Sequence, residues 1–198
     1  MTALFRKLFP AMNHRLNIRF EQLELATEKL LRAAEALGAR SHEVPAAGQW
    51  SAAHVVHHLL VAEQGIEQYI QQKLLQEEGL RKVSLKGRLR ALLLRILLRV
   101  PGLKFRAPQR LAQLSPAEGA GIPPMSELRQ QWASSRRTLE QLLNEYPSRL
   151  MSKAIFKHPR VGMLTIQQTL DFMLDHVLHH QQQLTRISKS LPPVSMPA

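Results

Sequence analysis

Four long stretches of this chain place apolar residues at the three- and four-residue spacing of a helix, and no stretch sustains the two-residue alternation of a strand. The sequence therefore predicts an all-α fold. The first stretch runs from about Asn17 to Leu37, with Phe20, Leu23, Leu30, Leu31 and Ala34 on one stripe and Gly38 beyond its end as a C-cap. The second, about Ala52 to Gln76, has the best-marked start: Ser51 at the N-cap, with Trp50 before it and Val55 at the fourth helical position as a hydrophobic staple. Ser126 is expected to cap a third, ending near Glu145 ahead of Pro147. Thr165 with Gln168 three residues on forms a capping-box pattern that opens a fourth, reaching about Ser188.

A shorter helix, about Ser84 to Val100, stops at Pro101-Gly102, and the proline-bearing stretch from Lys104 to Met125 reads as a connection. The expected architecture is an antiparallel four-helix bundle with a basic helical insertion between helices two and three. One domain is expected over 1–190, with the insert at about 79–124 and a disordered tail at 191–198. At 198 residues such a domain buries a core without metal or disulfide staples.

The chain has no cysteine, which excludes disulfides and thiolate chemistry and leaves histidine and carboxylate as the strong metal ligands. Neither a glycine-rich phosphate loop nor a serine-nucleophile elbow is present. The first ten residues carry Arg6 and Lys7 inside their apolar stretch and do not read as a secretory signal, so a cytoplasmic location is expected.

Histidine is where chemistry concentrates. His176 and His180 are four apart and share one helix face, about 5–6 Å apart at Cβ, so both imidazoles can reach one metal ion. His58, on the second helix, would complete an open three-nitrogen site if those helices face each other, leaving a fourth position for water. Above His58 the same face carries Ala62 and Gly65, which leave space, and then Tyr69; around the histidine pair lie Phe172, Met173 and Gln183. Gln183 and Tyr69 are the candidate contacts for a substrate or cofactor. His54 stands one turn before His58 and could pair with it, although the third position after an N-cap serine usually serves the helix end. His57 and His179 lie about 100° off the ligand face, and His14, His42 and His158 fall in or near loops with no metal role expected.

The order Trp50-Ser51, His58-Leu59 and then His176-Val177-Leu178-His179-His180-Gln181-Gln182-Gln183 resembles the motifs of the DinB-like superfamily, which includes the YfiT-type metal-dependent hydrolases. The resemblance spans roughly residues 17 to 189. It implies an antiparallel four-helix bundle, often dimeric, that binds a divalent metal such as zinc or nickel through His58, His176 and His180. It also implies an enzyme activating a thiol or water, since characterised relatives include thiol S-transferases using bacillithiol, mycothiol or glutathione and a mycothiol-dependent isomerase. Two positions depart from the family pattern: His54 where glutamate is frequent, and Gln181-Gln182 where arginine-glycine is usual, so the anion-binding arginine is missing.

The charge is uneven. Lys and Arg total 27 against 15 Asp and Glu, and the ten basic residues between Glu78 and Glu118 have no acidic one among them. In the predicted inserted helix Arg88, Arg95 and Arg99 share a face and leucines fill the rest. The expectation is a helix docked by its leucines on the bundle or on a dimer partner, its arginines solvated. The alternative is a non-catalytic bundle whose basic helix contacts an anionic membrane or an acidic partner; nucleic acid is the weakest reading, since Phe105 is the only aromatic among the basic residues.

Overall fold

The computed structural model describes residues 12–76, 80–99 and 121–191. Five α-helices lie within them: α1 His14–Glu35, α2 Ala52–Leu75, α3 Leu85–Arg99, α4 Met125–Asn144 and α5 Ile166–Ser190. Helices α1, α2, α4 and α5 form the four-helix bundle, in which α1 packs chiefly on α5 and α2 lies against both α4 and α5. The inserted helix, α3, lies outside the bundle against α5. None of the described helices is long and apolar enough to cross a membrane. The expected tail from 192 onward and most of the connection after α3 lie outside the described residues.

The helices begin where side chains can satisfy their first backbone N–H groups, with one exception. Ser51 Oγ accepts from His54 N at 3.2 Å, and at the start of α5 Thr165 and Gln168 complete the reciprocal capping box. Helix α1 starts three residues earlier than expected, because Asn13 Oδ1 accepts from Arg15 N at 3.0 Å. The exception is α4, which starts at Met125 behind Pro124 and not behind Ser126. The extended Pro124 backbone already presents its carbonyl to Leu128 N at 3.0 Å, so Ser126 is inside the first turn.

The reading without strands also needs correction. A three-residue hairpin, β1 Phe156–His158 and β2 Gly162–Leu164, leads into α5, paired Phe156 to Leu164 and His158 to Gly162. Its three-residue loop closes on Gly162 at φ +85°, a backbone conformation open to glycine. Strands this short never complete a legible alternation. The chain entering α3 runs beside the same hairpin, with Ala154 N donating to Arg81 O at 2.8 Å.

Leu16, Leu23 and Leu30 of α1, Leu59 and Ile70 of α2, and Trp132 and Leu139 of α4 fill the bundle interior. One charged cluster is buried with them. Arg136 reaches Glu63 at 2.8 Å, Glu24 at 2.6 Å and the Thr27 hydroxyl at 2.7 Å, tying α4 to α1 and α2, while Ser135 Oγ donates to Glu67 at 2.7 Å. Two of these contacts, Arg136 Nε to Glu24 and Nη1 to Glu63 Oε2, are close ion pairs without hydrogen-bond alignment.

Helix α3 docks differently from the expectation. Ala91, Leu94 and Leu98 are buried against the bundle, but Arg95 and Arg99 face inward with them. Arg95 donates to Asp175 at 3.0 Å and to Asp171 at 3.1 Å, Arg99 reaches Asp175 at 2.8 Å, and Arg19 of α1 reaches Asp171 at 3.1 Å. Asp175 is fully buried, and a carboxylate without water needs paired charge, so Arg95 and Arg99 turn toward the docking face, each keeping part of its side chain in solvent. Leu85, Leu89, Leu92, Leu93, Ile96 and Leu97 are left exposed.

Candidate metal centre

The cap at Ser51 fixes the register of α2 and the capping box at Thr165 fixes that of α5, which sets His58 opposite the His176/His180 pair. Gln181 Nε2 donates to Ala26 O at 2.6 Å and holds α5 against α1 beside the pair. The result is that one ligand-type nitrogen from each of His58, His176 and His180 lies within 4.8 Å of the others. His176 Nε2 and His180 Nε2 stand 3.1 Å apart. Two nitrogens bound 2.0–2.1 Å from one tetrahedral ion would be separated by about 3.3 Å.

Hydrogen bonding supports a lone pair at the centre. Gln183 Oε1 lies 2.7 Å from His180 Nδ1 and, as an acceptor, places the ring hydrogen there. Nε2 of His180 is then unprotonated and faces His176. Burial keeps all three rings neutral: it pushes His58 down to about 4, with a further push from His57, and His180 down to about 3, with help from His58. His176 falls well below the usual histidine range through burial first and then its two partners.

Aromatic rings wall the cluster. Trp50 lies 5.0 Å from His58 and, nearly parallel, 6.2 Å from His180. Phe172 stacks on His176 at 5.5 Å, and His158 meets Phe172 edge-on at 4.5 Å. Backbone N–H groups of Arg160 and Val161 point at His158 Nδ1, which places its hydrogen on Nε2. On the same hairpin Phe156 meets Tyr69 edge-on, the ring centroids 5.5 Å apart. Between His58 and Tyr69, a Cβ placed on Gly65 would meet nothing within 4 Å, so this face of α2 is open.

The remaining candidates separate clearly. His54 sits on the helix end, its Nδ1 2.7 Å from Ser51 Oγ, and is outside the three-histidine cluster. His179 turns to Leu98 O at 3.2 Å and joins α5 to α3. Tyr69 is three turns from His58, about 16 Å along the axis, and so lies at the far end of the open face. Gln183 is engaged with a cluster histidine, its Oε1 2.7 Å from His180 Nδ1. The sequence marks Trp50 as part of a staple and of the Trp-Ser motif and expects no metal role for His158; neither is in the three-histidine cluster, yet both stand beside it. Trp50 is adjacent to the cap that sets His58, and that proximity was the available signal. His158 had none, since its placement depends on the hairpin.

The sequence model of the DinB superfamily matches residues 22–184, a span that holds all three cluster histidines. The chain belongs to the DinB superfamily. Among solved structures it is similar to YfiT from Bacillus subtilis, described as a probable metal-dependent hydrolase with an unusual four-helix bundle topology. That likeness has a TM-score of 0.57 at 19% identity, over 87% of this chain and 85% of YfiT, and it concerns the fold. A comparison with curated proteins finds no match.

Proposed function

We propose that this DinB-superfamily chain is a metal-dependent enzyme in which His58, His176 and His180 hold one divalent cation, zinc or nickel, with an open position for a small-molecule substrate. The observation that carries the reading is three neutral imidazole nitrogens from two helices, within 4.8 Å of one another, with no carboxylate in the set. Three nitrogen donors without a fourth protein ligand is the donor set of catalytic rather than structural zinc sites. When bound, such an ion supplies Lewis acidity that makes water or a thiol nucleophilic near neutral pH.

The chain's own residues prepare that position. Gln183 fixes the His180 tautomer and ring orientation, a role whose loss in other metal sites weakens binding. Trp50 and Phe172 exclude bulk water from two sides of the cluster, and the open face over Gly65 gives a substrate room toward Tyr69. Water is favoured over an acidic thiol as the nucleophile. Where relatives carry an arginine, this chain has Gln181, and its amide is occupied by Ala26 O. The description of YfiT as a probable metal-dependent hydrolase points the same way.

Cobalt-loaded protein distinguishes the two nucleophiles. A visible spectrum of tetrahedral cobalt that titrates with pH and is unmoved by glutathione supports the hydrolytic reading. A spectrum that changes on adding glutathione, or another low-molecular-weight thiol, would favour S-transfer. No cobalt spectrum at all would remove the metal-dependent reading.

A further inference from the structure

The exposed side of α3 is the largest feature that the proposed enzyme does not use. Leu85, Leu89, Leu92, Leu93, Ile96 and Leu97 occupy an arc of about 140° at 100° per residue. All six are exposed, from 42% for Leu97 to 82% for Leu85, although the opposite side of the helix is buried and clasped to Asp171 and Asp175. Such a contiguous apolar strip marks an interaction surface. Lys86 at the N-terminal end of the strip, Arg88 and Arg90 on its two sides and Lys82 just before the helix are all exposed, and none is paired with a carboxylate among the described residues.

We infer that this face docks on an anionic membrane surface, with the leucines entering the headgroup and acyl boundary and the basic residues meeting lipid phosphates and carboxylates. Charge complementarity selects this occupant. The run between Glu78 and Glu118 has ten basic residues and no acidic one, and while Arg95 and Arg99 are engaged with Asp171 and Asp175, Lys82, Lys86, Arg88 and Arg90 are available to an external anion. A second copy of the chain is the poorer fit on two counts. A symmetric contact would set the basic flanks of one α3 against those of the other. A 15-residue helix also offers a strip only about 22 Å long, roughly a quarter of the ~800 Å² per partner of a stable interface at a width near 10 Å. Because α3 is too short and too basic to span a bilayer, it lies on the surface, the geometry of an interfacial amphipathic helix.

Co-sedimentation of the full chain with vesicles of roughly 30% phosphatidylserine in phosphatidylcholine, against pure phosphatidylcholine, tests this directly. Binding should be at least about tenfold stronger on the anionic vesicles and should weaken as salt shortens the screening length. Leu89→Asp with Leu93→Asp should abolish it, and Lys86→Glu with Arg90→Glu should reduce it about tenfold, with unchanged far-ultraviolet circular dichroism and melting temperature. Leu25→Asp, at a 74% exposed leucine on α1, should bind as the wild type does. Failure of the wild type to bind anionic vesicles overturns the inference. If light scattering then shows a dimer that the double aspartate variant dissociates, the face is an interface between copies. Neither result bears on the histidine cluster, which metal binding tests separately.

Discussion

Removing metal should leave a protein whose stability falls steeply with acid, and the slope can be worked from the buried groups. Burial holds His58 and His158 near 4 and His180 near 3, and His176 well below the usual range, while in the unfolded chain each titrates near its ordinary value of 6.5. Between those values the unfolded state binds more protons than the native state, so stability rises with pH across the window and is lost as pH falls from about 6.5 toward 4. Glu67 has the opposite sign. Burial raises it from 4.5 to about 7, so its native form holds a proton that the unfolded form releases, and acid favours the fold through this group.

Four histidine protons opposed by one at Glu67 leave about three, and at 1.36 kcal/mol per proton per pH unit the apo protein should lose about 4 kcal/mol between pH 6 and pH 5. Half-buried Glu24 and buried Glu63 oppose this slope, whereas the half-buried His54, His57 and His179 add to it. A loss of that size is comparable to the whole stability of an ordinary domain, about 5–15 kcal/mol. Urea unfolding in the presence of a chelator, at half-unit steps from pH 7.5 to 4.5, measures it. Glu67→Gln removes the opposing proton and should steepen the slope by about 1 kcal/mol per pH unit. Apo stability that is flat or rises with acid over this range would refute the reasoning, because it would mean that the histidines are not held neutral by burial.

Three further outcomes follow from particular contacts. Gln183→Leu removes the acceptor that orients His180 and should weaken zinc binding about 10–100-fold in a competition titration with a chromogenic chelator, while Gln182→Leu should not. Arg136→Met leaves Glu63 buried without its partner and should cost about 3–5 kcal/mol by urea unfolding, most of it recovered when Glu63→Leu is added. Gly65→Ala meets open space inside a helix, so it should stabilise the chain by up to about 1 kcal/mol, raising its melting temperature with metal stoichiometry unchanged.

What could be read from the chain depended on how local its causes are. Helix α2 was legible almost to the residue because Ser51 and the run after it fix one register, and His58 and the His176/His180 pair followed from spacing within single helices. The hairpin before α5 was not, because three-residue strands carry no period, and with it went the placement of His158. The inserted helix shows a different kind of failure. Its pattern of leucines and arginines is amphipathic whichever way it turns, and the turn is decided by Asp171 and Asp175, some 80 positions away, whose buried carboxylates draw Arg95 and Arg99 inward. Local pattern cannot report a distant counter-charge. The start of α4 failed on a smaller scale, where the extended backbone of Pro124 took the position expected of Ser126.

The central claim is that His58, His176 and His180 act as one metal-binding unit, and the most direct measurement is the metal content of protein purified without an affinity tag, by inductively coupled plasma mass spectrometry after equilibration with zinc or nickel. About one ion per chain is expected for the wild type and for His54→Ala and His179→Ala, and close to none for His58→Ala, His176→Ala and His180→Ala. A wild-type protein that retains no metal, or equal loss in all five variants, would contradict the account.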